Sequence, residues 1–118
     1  MVIGTDFKVL RVNRAMRAQF GVTPGEYCYR AFLARSRVCD DCPCKRVFEG
    51  AGRATALKLV PTADGKERWT ENVASPLIDQ HGKFGGCVEV VRDVTGHKRL
   101  LDEMQRLNRF YEDTLDGL

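Results

Sequence analysis

The chain lacks any apolar run near the roughly 18 residues that a membrane-spanning helix needs, and no secretory signal can be read at its start. Neither a span nor an exported leader is expected in this segment, and the economical location is the cytoplasm. No glycine-rich loop precedes a helix, so the phosphate cradle of nucleotide-binding enzymes is missing. Its two histidines, His81 in a turn and His97 at a helix start, have no partner arrangement suited to proton transfer or nucleophilic attack. Low-complexity tracts and solenoid-period repeats are absent too. The net charge of +3 is spread along the chain without interleaved basic and aromatic clusters, which argues against a nucleic-acid partner. No kinase, cyclase or diesterase motif is present.

What remains is one ordinary globular domain. With 118 residues, 43% hydrophobic and 30% charged, the chain can enclose one core and not two. Val9 to Val12 is a short β-prone run. Asn13 then caps a helix whose face carries Ala15, Met16, Ala18 and Phe20, and Gly21 ends it. Thr23-Pro24 is expected to open a second short helix with Tyr27, Cys28, Ala31 and Phe32, and Asp41 to Pro43 a third that stops at Gly50 and Gly52. From Arg53 the pattern turns extended: Ala54 to Val60, Glu67 to Ile78, and Phe84 to Thr95. Asp64-Gly65 and His81-Gly82 are hairpin signals between these runs, so three strands form an antiparallel meander. In the last strand Phe84, Gly86, Val88 and Val90 share the more apolar face, which is expected to pack on the helices; Cys87, Glu89 and Asp93 share the other. A pocket is then expected between Val88 and Val90 on one side and Phe20, Phe32 and Phe48 on the other.

After Thr95 the pattern is helical again. His97, Leu100, Met104, Leu107, Tyr111, Thr114 and Leu118 follow alternating steps of three and four, about three heptads with mostly polar residues between them. Such a seam predicts a coiled-coil dimer helix over residues 97 to 118, beyond a domain of residues 1 to 96. Asp93, at the joint, can cap the helix or serve as a plain turn residue.

Four of the five cysteines lie in CYRAFLARSRVCDDCPCKR, from Cys28 to Arg46. Without a secretory signal, such a cluster suggests metal or redox chemistry before structural bridges. Cys39 and Cys42 form a CxxC, Cys44 extends it, and Cys28 could complete a four-sulfur set suited to zinc or an iron-sulfur cluster. Helix-start amides behind Pro43 would favour thiolate there. The alternative is burial: Cys44 precedes Val47 and Phe48 at helical spacing, as Cys28 precedes Ala31 and Phe32. Cys87, on the face assigned away from the core, is excluded as a ligand.

Two stretches resemble a known family. VIGTDFKVLRVNRAM is similar to the opening strand pair and Asn-Arg-Ala helix of the PAS domain, the sensor module of bacterial signalling proteins. DGKERWTENVASPLIDQHGKFGGCVEVVRDVTGHKRL resembles its closing motif, with Trp69, Ser75-Pro76-Leu77, Gly85-Gly86 and Asp93-Val94-Thr95. The resemblance spans residues 2 to 99, and Cys28, Cys39 and Cys42-Pro43 resemble a cysteine-bearing subset. Gly96-His97 departs from the Gly-Arg or Glu-Arg that commonly follows Asp-aliphatic-Thr. The resemblance implies an α+β fold: a five-stranded antiparallel sheet, short helices on one face and a C-terminal signalling helix. It implies a non-enzymatic sensory module, detecting a small ligand, metal or redox signal, with Asp93 and Thr95 at the relay into a homodimeric helix. The seam at Leu100, Met104, Leu107 and Tyr111 would lead in cis to a downstream module, as in a sensor histidine kinase. The rival reading is a small thiol-disulfide protein using Cys39 and Cys42, against which stands their position after a helix and loop rather than after a strand.

Overall fold

The computed structural model describes residues 1–116. The elements run β1 (Val2–Ile3), β2 (Val9–Arg11), α1 (Arg14–Phe20), α2 (Cys28–Ala31), α3 (Pro43–Phe48), β3 (Ala54–Pro61), β4 (Glu67–Ile78), β5 (Phe84–Asp93) and α4 (Thr95–Asp116). The strands form one five-stranded sheet in the order β2-β1-β5-β4-β3, with every pair antiparallel. β5 is therefore the central strand.

Local signals explain most of these boundaries. The Asn13 side chain accepts a hydrogen bond from the Met16 amide at 2.9 Å, and Gly21 closes α1 in the left-handed region at φ 70°. Pro43 stands in the first turn of α3, behind Cys42 as the cap. The expected start of α2 at Thr23-Pro24 is not realised. Gly25 adopts φ 92°, its amide donates to Val9 O at 2.8 Å, and Lys8 bridges Tyr27, so the backbone before Cys28 is engaged with β2 and cannot wind.

The sheet face that meets the helices is not the one its apolar content suggests. Cys87 and Glu89 of β5, Thr70, Asn72 and Ala74 of β4, and Ala54, Lys58 and Val60 of β3 are buried on the helix side. Val90 is 62% exposed, and with Val88, Val73 and Ser75 it lines a groove on the opposite side. The placement of Val88 and Val90 in the pocket is thus corrected: the register pairs Ile3 with Cys87, both fully buried, and alternation then turns Val88 and Val90 outward. The inner face admits four polar side chains, while Leu57 and Leu59 join the valines outside or at its rim.

Close backbone approach fixes that register. A Cβ on Gly86, at φ 142°, would lie 2.2 Å from Ile3 O, so no side chain fits where β5 meets β1. Beyond the sheet, α4 runs 22 residues, about 33 Å. Its start is tied to β4, where the Val94 amide donates to Trp69 O at 2.8 Å and the Lys98 ammonium lies over the Trp69 ring. The rest extends past the body, with Leu100, Met104, Leu107 and Tyr111 exposed; Leu101, Phe110 and Leu115 are exposed too, which makes the apolar stripe wider than a strict two-position seam. Leu118 lies outside the described residues.

Gly86→Ala is expected to lower stability by about 3 kcal/mol in urea unfolding, because both φ and the Ile3 carbonyl oppose a Cβ. Gly85→Ala, whose Cβ would meet only Leu77 at 3.9 Å, should remain within about 0.5 kcal/mol of the parent.

Candidate functional site

Three short segments bring the cysteines onto one cavity. Cys28 begins α2, Cys42 caps α3, and Cys39 lies in the loop between them. All three line a cavity against the sheet, facing Lys58, Asn72 and Glu89. Its volume is about 20 Å³, room for one water molecule and not for an organic ligand unless the helices move. Phe32 also lines it. Phe20 packs edge-on against Phe32 behind the wall, while Phe48 packs against Phe7 and Phe84 elsewhere.

The floor of the cavity is polar, which the sequence reading missed. Asn72, fully buried, donates from Nδ2 to Thr70 Oγ1 at 2.9 Å and Thr70 O at 3.2 Å, and its Oδ1 has no protein partner. A buried acceptor without a protein partner is one that a water or the donor group of a ligand can meet. Lys58, only 7% exposed, turns its ammonium to the Asp41 carboxylate at the surface. Glu89, also 7% exposed, has no such exit. Burial raises its pKa from 4.5 to about 7, against the opposing pull of the Met1 amino group and Lys58.

That carboxyl also weighs on the thiols. Burial, then the Glu89 charge and the neighbouring Cys42, push Cys28 up to about 12. Burial likewise raises Cys42, overcoming the helix-start amides of Lys45 and Cys44 that pull the other way. The expected thiolate at the start of α3 is therefore corrected for Cys42: desolvation outweighs the helix end.

Cys44 takes a different partner. It is disulfide-bonded to Cys87 across 43 residues, with Cα atoms 6.1 Å apart and both residues fully buried. The exclusion of Cys87 followed from the inverted strand face and falls with it. Cys28, Cys39 and Cys42 are free thiols, and among the described residues no group of three or more His, Cys, Asp or Glu is placed to hold a metal ion. The zinc or iron-sulfur expectation has no support in this arrangement. The one available signal for the pairing was the alternation that puts Cys87 and Glu89 on the same face.

At the sheet's exit the joint is closely bonded. Asp93 Oδ1 accepts from the Thr95 amide at 2.9 Å and hydroxyl at 2.6 Å, and its other oxygen accepts from Gln19 Nε2 of α1 at 3.3 Å. Thr95 Oγ1 accepts from the Trp69 amide at 2.9 Å. These Thr95 bonds hold the Asp93 carboxyl below its ordinary range.

Comparison with known proteins agrees with this geometry. The family model described as PAS fold matches residues 1–99. A solved PAS domain of a protein from Colwellia psychrerythraea superposes with a TM-score of 0.61 at 16% identity, covering 80% of this chain and 84% of that one, a likeness of fold. No curated protein matches.

Glu89 sets a pH dependence with a definite sign. Because its carboxyl titrates at about 7 when folded against an ordinary 4.5, the folded chain holds an extra proton between those values, and stability falls as pH rises through them. The full loss is roughly 3 kcal/mol. Urea unfolding at pH 5 and pH 8 should show most of this fall in the parent chain, and Glu89→Gln should remove it; equal slopes for both would disprove the assignment.

Proposed function

The chain belongs to the PAS fold family, and from that premise we propose that it receives its signal at the cysteine-lined cavity and passes it through β4 and β5 to α4. PAS domains are sensory modules and not catalysts. One observation carries the reading: a water-sized cavity lined by Asn72, the buried Glu89 carboxyl and three thiols sits on the strands that meet the Asp93–Thr95 joint. Whatever alters the cavity alters groups on β4 and β5 that are register neighbours of that joint, Asn72 opposite Val91 and Thr70 opposite Asp93.

The output is α4. Its apolar stripe stands in solvent along a helix that leaves the body, and pairing two copies would bury it. The domain over residues 1–96 and the linker helix that follows it then act as receiver and transmitter of a homodimer. A downstream module in cis, a sensor histidine kinase in the reading we favour, would take the signal from there. No described helix is long and apolar enough to cross a membrane, and we place the domain in the cytoplasm. The rival thiol-disulfide reading gains nothing from the site: Cys39 is buried, Cys42 lines an interior wall, and its thiol is held protonated.

Asn72→Leu, which removes the bare acceptor without opening the sheet, is expected to change amide exchange at residues 94–99 several-fold in the intact chain. The same substitution in an Asp93→Ala background should leave those amides at the level of Asp93→Ala alone; an unaltered α4 in the first variant would end the relay claim. Light scattering is expected to give a dimer for the intact chain at high micromolar concentration and a monomer after truncation at Lys98. A monomer for both would remove the dimer.

A further inference from the structure

We propose that Cys44–Cys87 is a reversible redox pair, opened by a dithiol reductant, and that Glu89 releases a proton as it opens. The regulatory meaning of this pair rests on the sensory reading above; its chemistry rests on the contact between the pair and Glu89.

The disulfide joins α3 to the central strand, and Cys44 Sγ lies 3.5 Å from Glu89 Oε2. The two oxidation states ask opposite things of that carboxyl. A disulfide sulfur has no hydrogen to donate, so beside it the buried Glu89 gains nothing from ionising and its protonated form can donate to sulfur instead. A Cys44 thiol can donate to the carboxylate, a charge-assisted bond in a site where water cannot substitute. Reduction therefore favours the ionised form.

The step balances. Both sulfurs are fully buried, so α3, six residues long, must first part from the sheet; the dithiol's first thiolate then attacks the Cys44–Cys87 bond to give a mixed disulfide and free one protein sulfur as thiolate. Its second thiolate then displaces the other, and the reductant closes to its own cyclic disulfide. Two electrons pass to the protein, and the two protons lost by the reductant end on Cys44 and Cys87. That exchange releases no net proton. Any pH dependence below the range where thiols ionise then reports another group, and Glu89 is the one in contact.

The other groups facing Glu89 do not mimic this. Lys58 on β3 is paired with Asp41, Asn72 on β4 is neutral, Cys28 on α2 and Cys42 at α3 have raised thiol pKa values, and Cys39, in the loop between them, is a third thiol on the same cavity. The Met1 amino group beside β5 titrates nearby too: burial lowers it from 8.0 and the Glu89 charge raises it, so it enters the parent chain's response through Glu89 and not independently of it. With the disulfide closed Glu89 titrates at about 7; the hydrogen bond that a Cys44 thiol would donate moves it lower once the bond is open. Between the two, each pH unit raises the reduction constant up to tenfold, and above them it levels off.

The test equilibrates the intact chain in dithiothreitol buffers of fixed reduced-to-oxidised ratio from pH 5 to 7.5. Acid quench, alkylation and peptide mass then give the Cys44–Cys87 state. The reduction constant should rise about tenfold across this range in the parent chain and stay flat in Glu89→Gln. As a check independent of that variant's folding, an indicator dye in weakly buffered parent chain at pH 6.5 should show proton release on reduction, a sizeable fraction of one per disulfide opened. A flat constant in the parent chain, or no proton release, overturns the coupling; a pair that stays oxidised until the chain unfolds, or that is never oxidised, overturns the switch. A pH-dependent pair whose opening leaves α4 exchange unchanged upholds this proposal and strikes the sensory reading instead.

Discussion

The carboxyl of Glu89 lies on the inward side of the central strand, and the surrounding structure answers to that one placement. An isolated carboxylate cannot be buried at tolerable cost, so it must be neutralised, paired or kept near other polar groups. Here all three operate in part. Protonation is favoured up to about 7, Lys58 and the Met1 amino group supply positive charge, and the polar Asn72 lines the same cavity. The same carboxyl makes neighbouring thiols harder to ionise, so it shapes the chemistry of Cys28 and Cys42 from across the cavity.

This placement also marks where reading the sequence succeeded and where it failed. Element types, the meander and the caps at Asn13, Gly21 and Pro43 were legible because each rests on local chemistry: a side-chain acceptor, a left-handed residue, a missing amide. The inner face of β5 was not. Alternation supplies two faces and leaves the choice to hydrophobicity, which pointed to Val88 and Val90, whereas the strand turns Cys87 and Glu89 inward. A site that buries Thr70, Asn72, Lys58 and Glu89 violates the usual rule where function is expected, and such violations are invisible to a rule about averages.

The cysteines show the same limit in another form. Spacing along the chain drew attention to Cys39 and Cys42, which do share a cavity with Cys28. It had no access to a partner 43 residues away on a strand, and Cys44 found its bond there. Once β5 is assigned the wrong face, Cys87 is discarded with it, so a single inverted strand accounts for both errors. The apolar stripe of α4 was legible at Leu100, Met104, Leu107 and Tyr111. Its widening by Leu101, Phe110 and Leu115 was passed over, because a strict heptad reading looks only along one seam.

The distribution of rigidity around the site bears on how a signal could act. The sheet is broad and continuous, and its register is pinned at Gly86 by contact with Ile3. By contrast α2 has four residues and α3 six, too short to be stable apart from what they pack against. A ligand larger than water must displace these helices before it can bind, whereas a change in the Cys44–Cys87 bond would act on α3 without needing room. On the proposed reading both inputs converge on β5, at Cys87 and Glu89, four to six residues before Asp93. A strand that short carries a shift in its backbone to the Thr95 hydroxyl and the first turn of α4, with no longer path through the core required.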